Sequence, residues 1–171
     1  MTGQILFKEV QKFKQIWIWL LLVIANLFII YTFVAQVLLN QPIGQHPAKN
    51  IHIITILVLS LSSLLLYYSF KLETIITEQG ISVRFLPLII KYKNYPFSQI
   101  SKCYIRKYSP ILEYGGWGIR LGGFRRGKAY NVSGNIGLQI EFKDGKKLLI
   151  GTQKQNELQL AISRFSQFSQ M

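Results

Sequence analysis

The spacing of apolar residues changes character along this chain, from unbroken runs to alternation and finally to a helical stripe. From Ile16 to Leu39 there are 24 residues without a charged side chain, and Ile51 to Phe70 supplies 20 more. As a helix rising about 1.5 Å per residue, either run covers the roughly 30 Å hydrocarbon core of a bilayer. Neither run keeps the polar face that a surface helix of a soluble protein turns to water. The first is too long for the apolar region of a cleavable signal, and Phe33 with Ala35 makes no small-x-small cleavage site. The pattern therefore predicts a transmembrane hairpin over residues 1–70, with spans at about 16–39 and 51–70. The connector NQPIGQHPAKN, with Pro42, Gly44 and Pro47, is a turn too short to fold alone.

After residue 70 the period drops to two. ISVRFLPLII sets Ile81, Val83 and Phe85 against Ser82 and Arg84, a half-buried strand that Pro87 ends or bulges. The stretches LETIITEQG, ISKCYIRKYS and GWGIRLGG read as further strands. In GLQIEFKDGKKLLIG, residues Leu138, Ile140 and Phe142 face one way, Asp144-Gly145 makes a hairpin turn, and Leu148 and Ile150 return on the partner strand. The tail switches to a helical stripe of Leu158, Ala161, Ile162, Phe165 and Phe168, with Asn156 and Gln159 at N-cap and N3 spacing. Residues 71–171 thus form a mainly β domain, a curved sheet closed by a C-terminal helix.

Charge orients the hairpin. Lys8, Lys12 and Lys14 precede the first span and Lys71 follows the second, whereas the connector carries only Lys49, so both termini are expected in the cytoplasm. Trp17, Trp19, Tyr67 and Tyr68 fall near that interface, where aromatic belts form. The net charge is +13, and sixteen of the twenty Lys and Arg residues lie in 71–171, so a basic domain faces a membrane whose headgroups are the nearest anions. The single cysteine, Cys103, excludes an intramolecular disulfide and a cysteine-based zinc site. Within the spans Asn26, Ser60, Ser62 and Ser63 fall at similar depth. They are read as packing contacts, because no Asp, Glu, Lys or Arg is present to carry transport or proton relay.

YPFSQI before a strand, the segment YSPILEYGGWGIR, and IEFKDGKKLLIGTQKQNELQLAI running into the last helix carry a family resemblance. With a two-helix hairpin ahead of them, they resemble the PH-like domains of small bacterial membrane proteins. The resemblance covers residues 71–165 and implies a barrel-like sheet capped by a helix. Phosphoinositide binding does not follow from it, since the first strand loop reads TEQGIS and lacks the basic motif of phosphoinositide-binding PH domains.

GGFRRGKA approaches a P-loop but fails as one. Ala129 stands where a Ser or Thr hydroxyl must hold magnesium, and YNVSG does not continue as a helix. As a glycine-rich loop bearing Arg120, Arg125, Arg126 and Lys128, it reads either as a site for anionic lipid or a partner, or as a solvated basic flank. Trp117, between glycines, is read first as packing across a neighbouring strand and second as a candidate for ligand stacking. His46 and His52 lie by the connector, Cys103 alternates within a strand, and no catalytic constellation assembles. Neither an RRM signature nor a helix-turn-helix supports nucleic-acid binding. The sequence thus leads to a non-catalytic integral inner-membrane adaptor without cofactor or metal, whose partners are the bilayer, anionic headgroups and a membrane or cytoplasmic protein. The alternative is an accessory subunit whose two helices form the main interface.

Overall fold

A computed structural model describes residues 4–123 and 126–168, the side chains of 164–168 excepted. The chain divides into two compact units, a helical one, Lys14–Ser69, and a mainly β one, Met1–Phe13 with Phe70–Met171.

In the helical unit, α1 (Ile16–Phe33) continues through a π-helical turn at Val34–Leu38, and α2 spans Asn50–Ser69. Neither run contains Gly or Pro, whose interior cost would break it. Leu22, Asn26, Ile29 and Phe33 of α1, and Ile53, Leu57, Ser60, Leu64 and Tyr67 of α2, are buried or half-buried. Their three-and-four spacing makes an interhelical seam of the coiled-coil type. Trp19 meets Tyr67 edge to face with ring centroids 5.1 Å apart, so the start of α1 lies beside the end of α2 and the pair is antiparallel. Leu20, Leu21, Ile24, Leu27, Phe28, Leu59 and Leu65 point outward and are exposed. Both helices are long and apolar enough to cross a membrane.

The β unit contains a four-stranded antiparallel sheet ordered β1 (Ile5–Lys12), β2 (Lys71–Thr77), β3 (Gly80–Leu86) and β4 (Ile89–Pro96). Residues 5–12, read from sequence as a flank of the first span, instead form an edge strand paired with β2 from Ile5↔Thr77 to Lys12↔Lys71. The helical unit is therefore an insertion between two neighbouring strands, and the β unit begins before it. As expected, β3 ends before Pro87, and Ile81, Val83 and Phe85 face the core.

The second sheet has the order β5 (Ile100–Lys107), β8 (Ile136–Phe142), β9 (Lys147–Gly151), β7 (Lys128–Asn131) and β6 (Gly118–Leu121). Only the β7–β9 pairing in it is parallel. The Asp144-Gly145 turn joins β8 to β9, with Gly145 at φ +81° and Asp144 Oδ1 accepting the Lys146 N–H at 3.0 Å. The two sheets are open, so the barrel implied by the family resemblance is in fact a pair of sheets enclosing one core. Leu72, Ile76 and Phe85 from the first sheet meet Tyr130, Leu138, Ile140 and Ile150 from the second. The C-terminal helix α4 (Gln155–Phe168) adds Leu158 and Ala161, with Ile162 partly buried beside them. Phe165 and Phe168, assigned to the same stripe, have side chains outside the described set. The helix starts one residue ahead of Asn156, so Asn156 is not its cap. Thr152 Oγ1 accepts the Lys154 N–H at 3.0 Å, and Lys154 O accepts the Leu158 N–H at 3.0 Å.

A short helix, α3 (Pro110–Tyr114), covers the outer face of the second sheet, where Tyr108, Tyr114, Ala129 and Leu149 form a small second core.

Candidate functional site

The glycine-rich loop singled out by sequence lies between β6 and β7, beside α3. Ser109 caps α3, accepting the Leu112 N–H at 3.4 Å, while Glu113 Oε1 accepts the Ser109 N–H at 2.8 Å. Glu113 also pairs with Arg106 at 2.8 Å. The Arg106 hydrogen bond, outweighing burial, holds the Glu113 carboxyl below the usual carboxylate range. The loop is tied to this helix: Arg126 Nη1 donates to Leu112 O at 3.0 Å and Tyr114 Oη to Arg126 O at 3.4 Å. Within the loop the Gly122 N–H reaches Gly127 O at 2.7 Å. Gly127, at φ +71°, lies so close to the Lys147 carbonyl that a Cβ there would overlap it, which accounts for the glycine.

The predicted basic cluster is divided by the alternation of its strands. Arg120 pairs with Ala129, which is buried on the α3 face, whereas Lys128 pairs with Leu121 and points to the opposite side. Arg120 Nε donates to Trp117 O at 2.9 Å, and Arg126 is held on α3. Arg125 lies outside the described residues. Around Arg126 the apolar surface of α3 is open, with Leu112 83% exposed and Ile111 also exposed, whereas exposed Leu121 shares the face of Lys128. Lys128 lines a cavity of about 850 Å³ together with Tyr95, Phe142, Lys147 and Leu148. Lys147 is paired with Glu141 at 3.2 Å, and Lys146 at the same rim with Asp144 at 2.6 Å. Burial, and the hydrogen bond to Tyr130 beside it, push the Tyr95 hydroxyl up.

Trp117 is half-buried and belongs to neither core, and its indole Nε1 is shielded without a hydrogen-bond partner. Its backbone is fixed by Asn131, whose Oδ1 accepts the Gly118 N–H at 2.9 Å. Asn131 is fully buried, so the Asn-Val-Ser sequence is part of the packing.

At the opposite end of the first sheet, Glu73 of β2 accepts from Arg84 Nε and from Tyr92 Oη, each at 2.7 Å, and lies 3.3 Å from Lys71 Nζ. Burial alone would raise the Glu73 carboxyl, but these donors and the Arg84 charge outweigh it and hold the group below its ordinary value. Sequence reasoning missed this network, whose members lie on three strands.

A second polar contact joins the first strand to the last helix. Glu9, 4% exposed, accepts from Thr152 Oγ1 at 2.7 Å and from the Gln153 N–H at 2.8 Å, and Gln11 Nε2 donates to Gly151 O at 2.6 Å.

The four polar span residues picked out by sequence each bond within their own helix. Asn26 Nδ2 donates to Leu22 O at 2.8 Å, Ser60 to Leu57 O at 3.0 Å, Ser62 to Val58 O at 2.7 Å and Ser63 to Ser60 O at 2.6 Å. Asn26, Ser60 and Ser63 still face the seam, while Ser62 is exposed. Burial pushes the Cys103 thiol up to about 12, a poor starting point for a nucleophile. Among the described residues, no three His, Cys, Asp or Glu side chains gather as metal ligands would.

Fold and surface together define a class of protein in which an apolar helix pair is inserted into a two-sheet β unit that carries a basic, partly apolar end. The chain belongs to the family of unknown function DUF6141, whose model matches residues 1–168 and so spans both units. No curated protein and no solved structure matches it.

Proposed function

We infer that this chain is a non-catalytic integral membrane adaptor that holds a PH-like domain at the cytoplasmic surface of the inner membrane and offers that domain to a protein partner. The observation that carries the reading is the insertion of two apolar helices between paired strands. For residues 5–12 to pair with 71–77, both must lie on one side of a bilayer, as an even number of crossings delivers. Lys8, Lys12, Lys14 and Lys71 beside the helices, against Lys49 alone in the connector, support the cytoplasm as that side.

The chain leaves the sheet after Lys12 and returns at Lys71, and only residues 13–15 and 70 separate those strands from the helices. The basic loop is at the other end of the sheet, since it shares its cavity with Tyr95, six residues along β4 from Ile89. At about 3.3 Å per residue that is about 20 Å along the strand. An acidic protein surface with an apolar contact for Ile111 and Leu112 suits the α3 side, where Arg126 lies beside them. The test is photocrosslinking from the full chain in native membranes, with probes at Leu112 and Arg126 compared with probes at Leu27 and Leu65 on the helices. Protein adducts from the first pair support an adaptor, and adducts confined to the helices would replace it with an accessory subunit.

A further inference from the structure

We propose that the turn between β3 and β4 is a membrane wedge, with the side chains of Leu88 and Ile90 seated at the boundary between lipid headgroups and acyl chains. This rests on the membrane-anchored reading above and adds a second contact with the bilayer, made by the β unit itself.

The exposed residues come first. Leu88 is 64% and Ile90 69% exposed, although the strands leading to them bury Phe85 and half-bury Ile89. Leaving two large aliphatic side chains in water at a turn forgoes the gain of burying them, and a turn ordinarily carries small or polar residues. Register then places the turn. Lys12 pairs with Lys71, Lys71 with Leu86, and Ile89 with Phe85, so the turn belongs to the end of the sheet where the chain departs for α1 and arrives from α2. Behind it Phe13, Phe70 and Phe85 form an aromatic cluster with centroids 6.0–6.3 Å apart. Phe13 and Phe70 are the two residues at which the β unit ends and resumes.

Charge supplies the third observation. Lys12, Lys71 and Lys91 stand on the strands next to the apolar tip, with Lys14 in the link to α1. An apolar tip ringed by lysines matches the chemistry of an anionic interface, where the tip enters the acyl boundary and the ammonium groups remain among phosphates. The opposite end of the same sheet differs, since its β2–β3 turn is Glu78-Gln79.

The experiment uses the full chain with Cys103→Ser and a single cysteine at Leu88, Ile90, Glu78 or Leu21, each labelled with an environment-sensitive fluorophore. The protein is placed in vesicles of phosphatidylcholine with a minor share of phosphatidylglycerol, with a doxyl quencher either near the headgroup or near the acyl terminus. Labels at 88 and 90 should emit to the blue of the label at 78 and lose intensity mainly to the headgroup-proximal quencher. The label at 78 should respond to neither quencher, and the label at 21, on the outward face of α1, should respond to one of them. If 21 is quenched while 88 and 90 behave like 78, the wedge is wrong and the anchored reading stands. A blue shift at 88 without quenching means burial against protein and also overturns the wedge. If 21 is not quenched, the membrane reading itself falls and the wedge with it.

Discussion

Replacing Glu9 should loosen the last helix, although the two are more than 140 residues apart in sequence. The Glu9 carboxylate takes the Thr152 hydroxyl at 2.7 Å and the Gln153 N–H at 2.8 Å, and the same Thr152 oxygen accepts the Lys154 N–H one residue before α4. Two hydrogen bonds to a charged acceptor contribute about 1.5–3 kcal/mol each. Relief of the carboxylate's own desolvation returns part of that, so Glu9→Leu should cost about 2–4 kcal/mol in net terms. Glu9→Gln keeps a carbonyl oxygen for the Gln153 N–H and should lose only about 1 kcal/mol. For a domain near 100 residues, each kcal/mol moves the melting point by about 4–8 °C, so the Leu variant should melt roughly 10 °C or more below the parent. The full chain in detergent is the material, with thermal unfolding followed by near-ultraviolet circular dichroism and hydrogen exchange read over residues 152–158. Faster exchange in that segment should accompany the lower melting point. Equal melting points for the Leu variant and the parent, or equal losses for the Leu and Gln variants, would refute the reasoning.

Leu158, 1% exposed in the core, should cost about 2–5 kcal/mol as Leu158→Ala, whereas Leu160→Ala, 67% exposed on the same helix, should stay within about 0.5 kcal/mol; urea denaturation separates them. The Glu73 carboxyl is lowered in the folded state, so its stabilisation is present above the ordinary carboxylate value of about 4.3 and disappears as pH falls through the lower folded value. Glu73→Gln should therefore flatten part of the acid limb of a stability-against-pH curve, and an unchanged limb would count against the Lys71–Arg84–Tyr92 network. Cys103, half-buried and with its thiol pushed up to about 12, should react slowly even with a membrane-permeant maleimide until the chain is unfolded. Sidedness is better read from Ser101→Cys and Gln45→Cys, both exposed positions, each in a Cys103→Ser background. In intact cells an impermeant reagent should label position 45 and spare 101, and the reverse pattern would invert the orientation.

The helices and the β8–β9 hairpin were legible because their signals are local. Two uncharged runs without Gly or Pro can form long helices on their own, and Asp144-Gly145 between alternating strands needs no distant partner to make its turn. The strand at Ile5–Lys12 was hidden for the opposite reason. Its core-facing positions are Phe7, Glu9 and Gln11, so period-two hydrophobicity fails where Thr152 and Gln153 donate to Glu9 and Gly151 O accepts the Gln11 amide N–H. Its partner strand is also separated from it by both helices. The short α3 did carry a local signal, Ser109-Pro110 with Glu113 and then Gly115, in which cap, first-turn proline and left-handed stop are all present. Reading YSPILEY only as part of a family pattern passed over it.

The division of the basic cluster shows why a list of charged residues is a weaker guide than a register. Arg120 and Lys128 are close in sequence and belong to adjacent strands, yet the pairing Arg120↔Ala129 and Leu121↔Lys128 sends them to opposite faces. Arg120 contributes to the α3 side, where exposed Ile111 and Leu112 accompany Arg126, and Lys128 lines the cavity beside Tyr95 together with Leu121. A uniform patch would act through summed charge and fade smoothly with salt. A divided one has no single field, and its two halves differ in apolar surroundings as well as in ion pairing. Partner binding at the α3 side should then depend more on Ile111 and Leu112 than on total charge, because a few buried apolar anchors commonly dominate an interface while rim charges tune its rate of formation. Leu112→Ser in the photocrosslinking assay should therefore abolish adducts from Arg126 that Lys128→Ser leaves in place. Loss of adducts with Lys128→Ser but not with Leu112→Ser would return the site to the cavity.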